Sequence, residues 1–102
     1  MERQQVLQIV KKAVHEVDDK AEIILFGSRA RGDFHEESDW DFLILTEEEN
    51  EWLAWEKIRE KLFESELKTK EAFSSIVHTR TNWENLGLSF FYKEVQKDGI
   101  KI

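Results

Sequence analysis

Two strand-like runs, Ile23-Ile24-Leu25-Phe26 and Trp40 to Leu45, enclose a segment that opens on Gly27-Ser28 and closes, after ten intervening residues, on Asp39-Trp40-Asp41. Large and β-branched apolar residues bounded by turn formers are the pattern of strands. One strand must therefore end sharply at a glycine and the next must start on acids. That arrangement points to one site able to hold phosphate and metal together.

The turn is the first half of this site. Glycine lets the backbone leave a strand abruptly and approach a ligand with no Cβ in the way, and Ser28 is a favoured residue for capping a following helix. Backbone N–H groups at a helix start attract phosphate. Arg29 and Arg31 add positive charge, while Ala30 and Gly32 keep the turn compact. A lone Gly-Ser turn is more often structural than phosphate-binding.

The acids are the second half. Residues i and i+2 of a strand share a face, so Asp39 and Asp41 should stand about 7 Å apart along the chain, on the face of Leu43 and Leu45. Trp40, Phe42 and Ile44 should face the other way. Strands disfavour aspartate, and two like charges on one face repel. Two readings fit. A divalent cation, magnesium above all, compensates the charge and bridges to substrate phosphates. Alternatively, both carboxylates lie at a solvated strand end and pair with Arg29 or Arg31.

Taken together, Gly27-Ser28-Arg29-Ala30-Arg31-Gly32 and Ser38-Asp39-Trp40-Asp41 resemble the signature of the minimal nucleotidyltransferases of the DNA polymerase β superfamily. The close match spans residues 22 to 45, about a quarter of the chain. The resemblance implies an α/β (α+β) nucleotidyltransferase fold with a small mixed sheet of three to four strands flanked by helices. It implies transfer of a nucleoside monophosphate from a triphosphate to a hydroxyl. It also implies Gly27, Ser28 and Arg31 at the triphosphate, and Asp39 and Asp41 as catalytic magnesium (Mg2+) ligands.

The chain departs from that family at one point. Such enzymes commonly carry a third carboxylate on the next sheet strand, which here reads Phe73-Ser74-Ser75-Ile76-Val77-His78 and contains no acid. Ser74 or Ser75 stands in its place. Glu71 would serve only in a shifted register, and His78 reads first as an ordinary strand-end residue.

Composition narrows the partners. With 102 residues the chain suits one domain, 1–102, without the separate acceptor-binding domain of larger relatives. Fifteen basic against 22 acidic residues give a net charge of −7, which opposes nonspecific nucleic-acid binding and argues against a template-reading polymerase. The absence of cysteine fits a reducing, cytoplasmic compartment, and no signal peptide or membrane span is visible.

Helical spacing of Val6, Val10, Ala13 and Val17 predicts an amphipathic helix over 3–18. Residues 22–26 form a strand buried on both sides, 28–31 a short helix, and 32–38 a polar loop in which His35 is solvated. Thr46-Glu47-Glu48-Glu49 has the form of a capping box starting a helix over 47–67, with Trp55, Ile58 and Leu62 on its inner stripe and Trp52, Phe63 and Leu67 at the margins. The two tryptophans also fit a protein-binding surface. A third strand covers 72–78. Thr81 and Glu84 form a second capping box, and Leu88, Phe91 and Val95 carry the apolar face on to Gly99.

The expected function follows from the resemblance: transfer of AMP from ATP, with magnesium, to a protein hydroxyl. Free-standing members resemble antitoxins of toxin–antitoxin pairs whose partner is an all-helical HEPN-type protein. The alternative is a degenerate relative that binds nucleotide or partner without turnover. A small-molecule transferase is disfavoured by the absent second domain, and an oligomer is left open.

Overall fold

Four consecutive apolar residues, Phe42 to Leu45, have no room for a solvated face, and they form the centre of the molecule. Phe42, Leu43 and Ile44 are completely buried, each contributing about 1.5–3 kcal/mol by leaving water. The computed structural model describes all residues, 1–102. These residues belong to strand β2 (Trp40–Thr46), preceded by helix α1 (Arg3–Val17), strand β1 (Glu22–Phe26) and helix α2 (Ser28–Arg31). Helix α3 (Glu51–Thr69), strand β3 (Phe73–Thr79), helices α4 (Arg80–Glu84) and α5 (Phe90–Asp98) and strand β4 (Ile100–Lys101) follow.

The sheet order is β3-β2-β1-β4, with β1 antiparallel to both β2 and β4 and β2 parallel to β3. The expected mixed sheet is therefore present, with helices on both faces. A parallel pair needs a crossover, and α3 supplies it. Side chains alternate as the period of two requires. Trp40, Phe42 and Ile44 join Ile23, Leu25, Phe73 and Val77 in a core covered by α1 and α3 through Val6, Val10, Val14, Ala54, Ile58 and Leu62. Leu43 and Leu45 face the opposite way, under Trp83 of α4 and Val95 of α5. No helix is long and apolar enough to cross a membrane.

Several elements differ from the sequence expectation. The doubly buried strand is β2; in β1 only Ile23 and Leu25 are buried, and Glu22, Ile24 and Phe26 are half-buried. Thr46 ends β2 instead of capping α3, because its hydroxyl donates to Asp18 Oδ2 at 2.8 Å while the Glu47 amide donates to the same oxygen at 2.9 Å. The helix starts at Asn50, whose side chain accepts from the Leu53 amide. Asn50→Ala should lower stability by about 1 kcal/mol, read as a fall in the urea midpoint at constant slope. Likewise Thr79, not Thr81, caps α4 by accepting from the Asn82 amide.

Within α3 the inner stripe is Ala54, Ile58, Leu62, Ser65 and Thr69, with Trp55 half-buried. Trp52, Phe63 and Leu67 are exposed. The apolar face expected to run through Leu88 breaks there, since Leu88 is 93% exposed in the turn between α4 and α5. Beyond Gly99, Ile100 pairs with Leu25 in a fourth strand that two residues could not announce. Gly99 permits this close return: a Cβ there would sit 2.7 Å from Ile24 Cγ2.

Candidate functional site

β1 delivers the chain to Gly27, where φ +75° and ψ −158° lie in a region that only glycine occupies without strain. Phe26 is the register partner of Asp41. Antiparallel pairing therefore brings the turn after β1 against the start of β2. A Cβ built on Gly27 would run into Asp41 Oδ2. Gly27 is also the N-cap of α2, so Ser28 is the first helical residue rather than the cap, and no side-chain cap bond forms. Amides of a first helical turn have no intrahelical acceptor.

The two acids reach the site by different routes. Asp41 is a strand residue set by the ladders on both sides, whereas Asp39 lies in the loop just before β2 and is exposed. Both flank Trp40, which points into the opposite core. Burial raises the Asp41 carboxyl above its ordinary value, the charge of Asp39 pushes the same way, and Arg31 partly opposes them. Neither aspartate forms an ion pair; Arg31 pairs with Asp33 at 3.3 Å instead. The alternative in which Arg29 or Arg31 neutralises the two acids is thus not what the chain adopts.

Arg29 departs furthest from the sequence reading. It is only 6% exposed, so its charge is not presented at the turn. Its guanidinium donates to the Ser38 and Glu36 carbonyls and lies between the rings of Phe34 and Trp40. Nothing in the spacing announced this. The available signal was one arginine and two aromatic residues flanking an otherwise polar loop.

The neighbouring strand shows which residue stands beside Asp41. Asp41 is paired with Ser74, which is exposed and shares its face, while Ser75 faces the opposite core side. Glu71 precedes β3 and follows α3, off that row. His78 is paired with Leu45, four residues beyond Asp41 or about 13 Å along the strand. There it faces Glu51 at 3.4 Å and stacks on Trp83. His35 lies in the exposed loop, as expected.

Two adjacent carboxylates, unpaired, with one destabilised as an anion by burial and by its neighbour, suit a divalent cation. Magnesium takes one or two carboxylates and completes its shell with water and phosphate oxygens. The missing Cβ of Gly27 is what lets the Asp41 carboxylate close on the turn after β1. Two carboxylates are as many as a magnesium–phosphate complex needs from a protein, and no third acidic or histidine side chain joins them.

Comparison with known proteins gives the family context. A family model described as nucleotidyltransferase domain matches residues 4–102. A candidate protein adenylyltransferase of Methanocaldococcus jannaschii is 33% identical over 103 residues, covering 96% of this chain and 99% of the relative. The crystal structure of a toxin–antitoxin with AMP-PNP superposes with a TM-score of 0.63 at 18% identity, covering 92% of this chain and 69% of that one. A candidate nucleotidyltransferase from Sulfolobus solfataricus gives 0.60 at 23% identity, covering 95% and 78%. The two structures show a shared fold.

Proposed function

The chain belongs to the nucleotidyltransferase domain family, and from that premise we propose that it transfers AMP from ATP to a hydroxyl of a protein acceptor, a helical HEPN-type partner in the first instance. The observation that carries this reading is the close approach of Asp41, which forms no ion pair, to the turn at Gly27, with the charge of Asp39 near enough to raise the Asp41 carboxyl. The similarity to a candidate protein adenylyltransferase supports a protein as acceptor. The fold shared with a toxin–antitoxin solved with AMP-PNP supports ATP and a partner.

In this proposal Asp39 and Asp41 hold magnesium, and Gly27 and Ser28 present backbone to the triphosphate. Arg31, exposed and near Asp41, turns from Asp33 to the phosphates. A bound divalent cation would supply charge compensation to the triphosphate and the leaving group. The acceptor oxygen bonds to the α-phosphorus, the bond to the bridging oxygen breaks, and pyrophosphate leaves. Ser74 is no base at neutral pH, so the acceptor proton passes to solvent or to a group on the acceptor protein.

The place of Ser74 favours one other reading, a nucleotide- or partner-binding module without turnover. Incubation with magnesium, labelled ATP and a helical HEPN-type protein separates the two. Label on the partner that disappears with Asp39→Ala plus Asp41→Ala supports transfer. Nucleotide binding and partner association without label support the module. No magnesium-dependent affinity for any nucleotide removes transfer and the nucleotide-binding form of the module, and leaves partner binding alone.

A further inference from the structure

Asp39 has no ladder of its own. The strand begins one residue later, so motion of the loop would carry its carboxylate away from Asp41. Two short bonds close the loop on itself: the Ser38 amide to the His35 carbonyl at 3.0 Å, and the His35 amide to Ser38 Oγ at 2.8 Å. These shape the turn without fastening it. The hydrogen bonds that tie residues 34–38 to the rest of the protein all come from Arg29.

We propose that Arg29 is the positioning residue of this site, a clamp that fixes Asp39 beside Asp41 by gripping the residues on either side of it. On the near side, Nε and Nη2 donate to the Ser38 carbonyl at 3.3 and 3.1 Å, and that carbonyl belongs to the peptide that leads into Asp39. A third bond, Nη2 to the Glu36 carbonyl at 3.0 Å, holds the middle of the loop. On the far side, the guanidinium carbon lies 4.4 Å from the Phe34 ring centroid and 4.5 Å from that of Trp40, the residue that follows Asp39. Trp40 is itself anchored in the core, and its amide donates to the Ala72 carbonyl at 2.9 Å.

The clamp also joins the halves of the site. Arg29 is the second residue of α2, directly after Gly27-Ser28, so the arginine that holds the acid loop is rigidly attached to the turn. Arg3 donates to the Arg29 carbonyl at 2.9 Å and steadies its backbone from α1. A lysine cannot replace this side chain. Only a planar guanidinium can stack between two rings while directing several N–H groups in its own plane at carbonyls. The arrangement rests on the metal–triphosphate reading for its function but not for its geometry.

Arg29→Lys and Phe34→Leu test the clamp, the second at a position 42% exposed where folding is not at stake. Two measurements are made well below the thermal midpoint of each folded variant: binding of manganese(II) with ATP by paramagnetic resonance, and hydrogen exchange of the amides of residues 34–39. Arg29→Lys should weaken manganese–ATP binding by about tenfold or more, and Phe34→Leu should weaken it less. Both should speed exchange in the loop while the β2 amides remain protected. A residue that only stabilises the fold would lower the thermal midpoint and leave metal affinity unchanged. Wild-type manganese–ATP affinity in both folded variants overturns the positioning role, whatever the loop exchange. If wild type itself takes up no manganese with ATP, the functional reading fails, and loop exchange alone then decides the clamp: faster in both variants sustains it, unchanged refutes it.

Discussion

Asp41→Asn is expected to lose nucleotide transfer by at least about 10³-fold, some 4 kcal/mol of transition-state stabilisation, while the nucleotide-free protein becomes more stable at neutral pH. The two effects have one origin. Burial raises the Asp41 carboxyl, the charge of Asp39 adds to the rise, and Arg31 opposes it only in part. An acid whose folded pKa lies above its unfolded value contributes stability below the unfolded value, and that contribution is lost as pH rises through the folded value. At pH 7 the metal-free protein therefore carries an unfavourable anion, which asparagine removes. The gain in thermal midpoint over wild type should be largest near neutrality and fade toward pH 3, where wild-type Asp41 is protonated as well. Magnesium with ATP should raise the wild-type midpoint and leave that of Asp41→Asn unchanged. A variant that is less stable than wild type at every pH would show that Asp41 is held by favourable contacts, and the cation site would lose its main support.

Gly27→Ala should be strongly damaging. The backbone there is confined to glycine, which alone costs an alanine about 1–3 kcal/mol, and the added Cβ collides with Asp41 Oδ2. Pushing a carboxylate off a well-paired strand adds about 1–3 kcal/mol. For a chain of this size the thermal midpoint should fall by roughly 10 °C or more, with loss of any magnesium-dependent nucleotide affinity in the protein that remains folded. Gly32→Ala is the control. It shares the positive φ, +94°, but a Cβ there meets nothing within 4 Å, so it should cost only the backbone strain and keep nucleotide affinity. Equal destabilisation by the two substitutions would mean that the approach of Gly27 to Asp41 is unimportant.

The wrong capping assignments have a common cause. Thr46 and Thr81 both stand three residues before a glutamate, and local spacing cannot tell a capping box from a threonine otherwise engaged. Asp18, 28 residues away in the chain, takes the Thr46 hydroxyl and keeps that residue in the strand. In the second case Thr79 lies at the strand end, where the chain actually turns, and it caps first. On the long helix, apolar residues outnumber the places on the buried stripe, so Trp52, Phe63 and Leu67, expected at its margins, are exposed.

What the sequence determined by itself was everything that depends on neighbours in the chain. The alternation through β2 sends Phe42 and Ile44 to one core and Leu43 to the other, and the glycine after Phe26 permits the sharp bend that ends β1. Tertiary structure alone decided strand direction, the choice of Ser74 over Ser75 as the residue beside Asp41, and the burial of Arg29 under two aromatic rings. The physical reason is range. Side-chain periodicity and backbone conformational preference act over a few residues, whereas strand registers, ring–guanidinium stacking and the approach of Gly27 to Asp41 depend on distances that exist only once the chain has closed on itself.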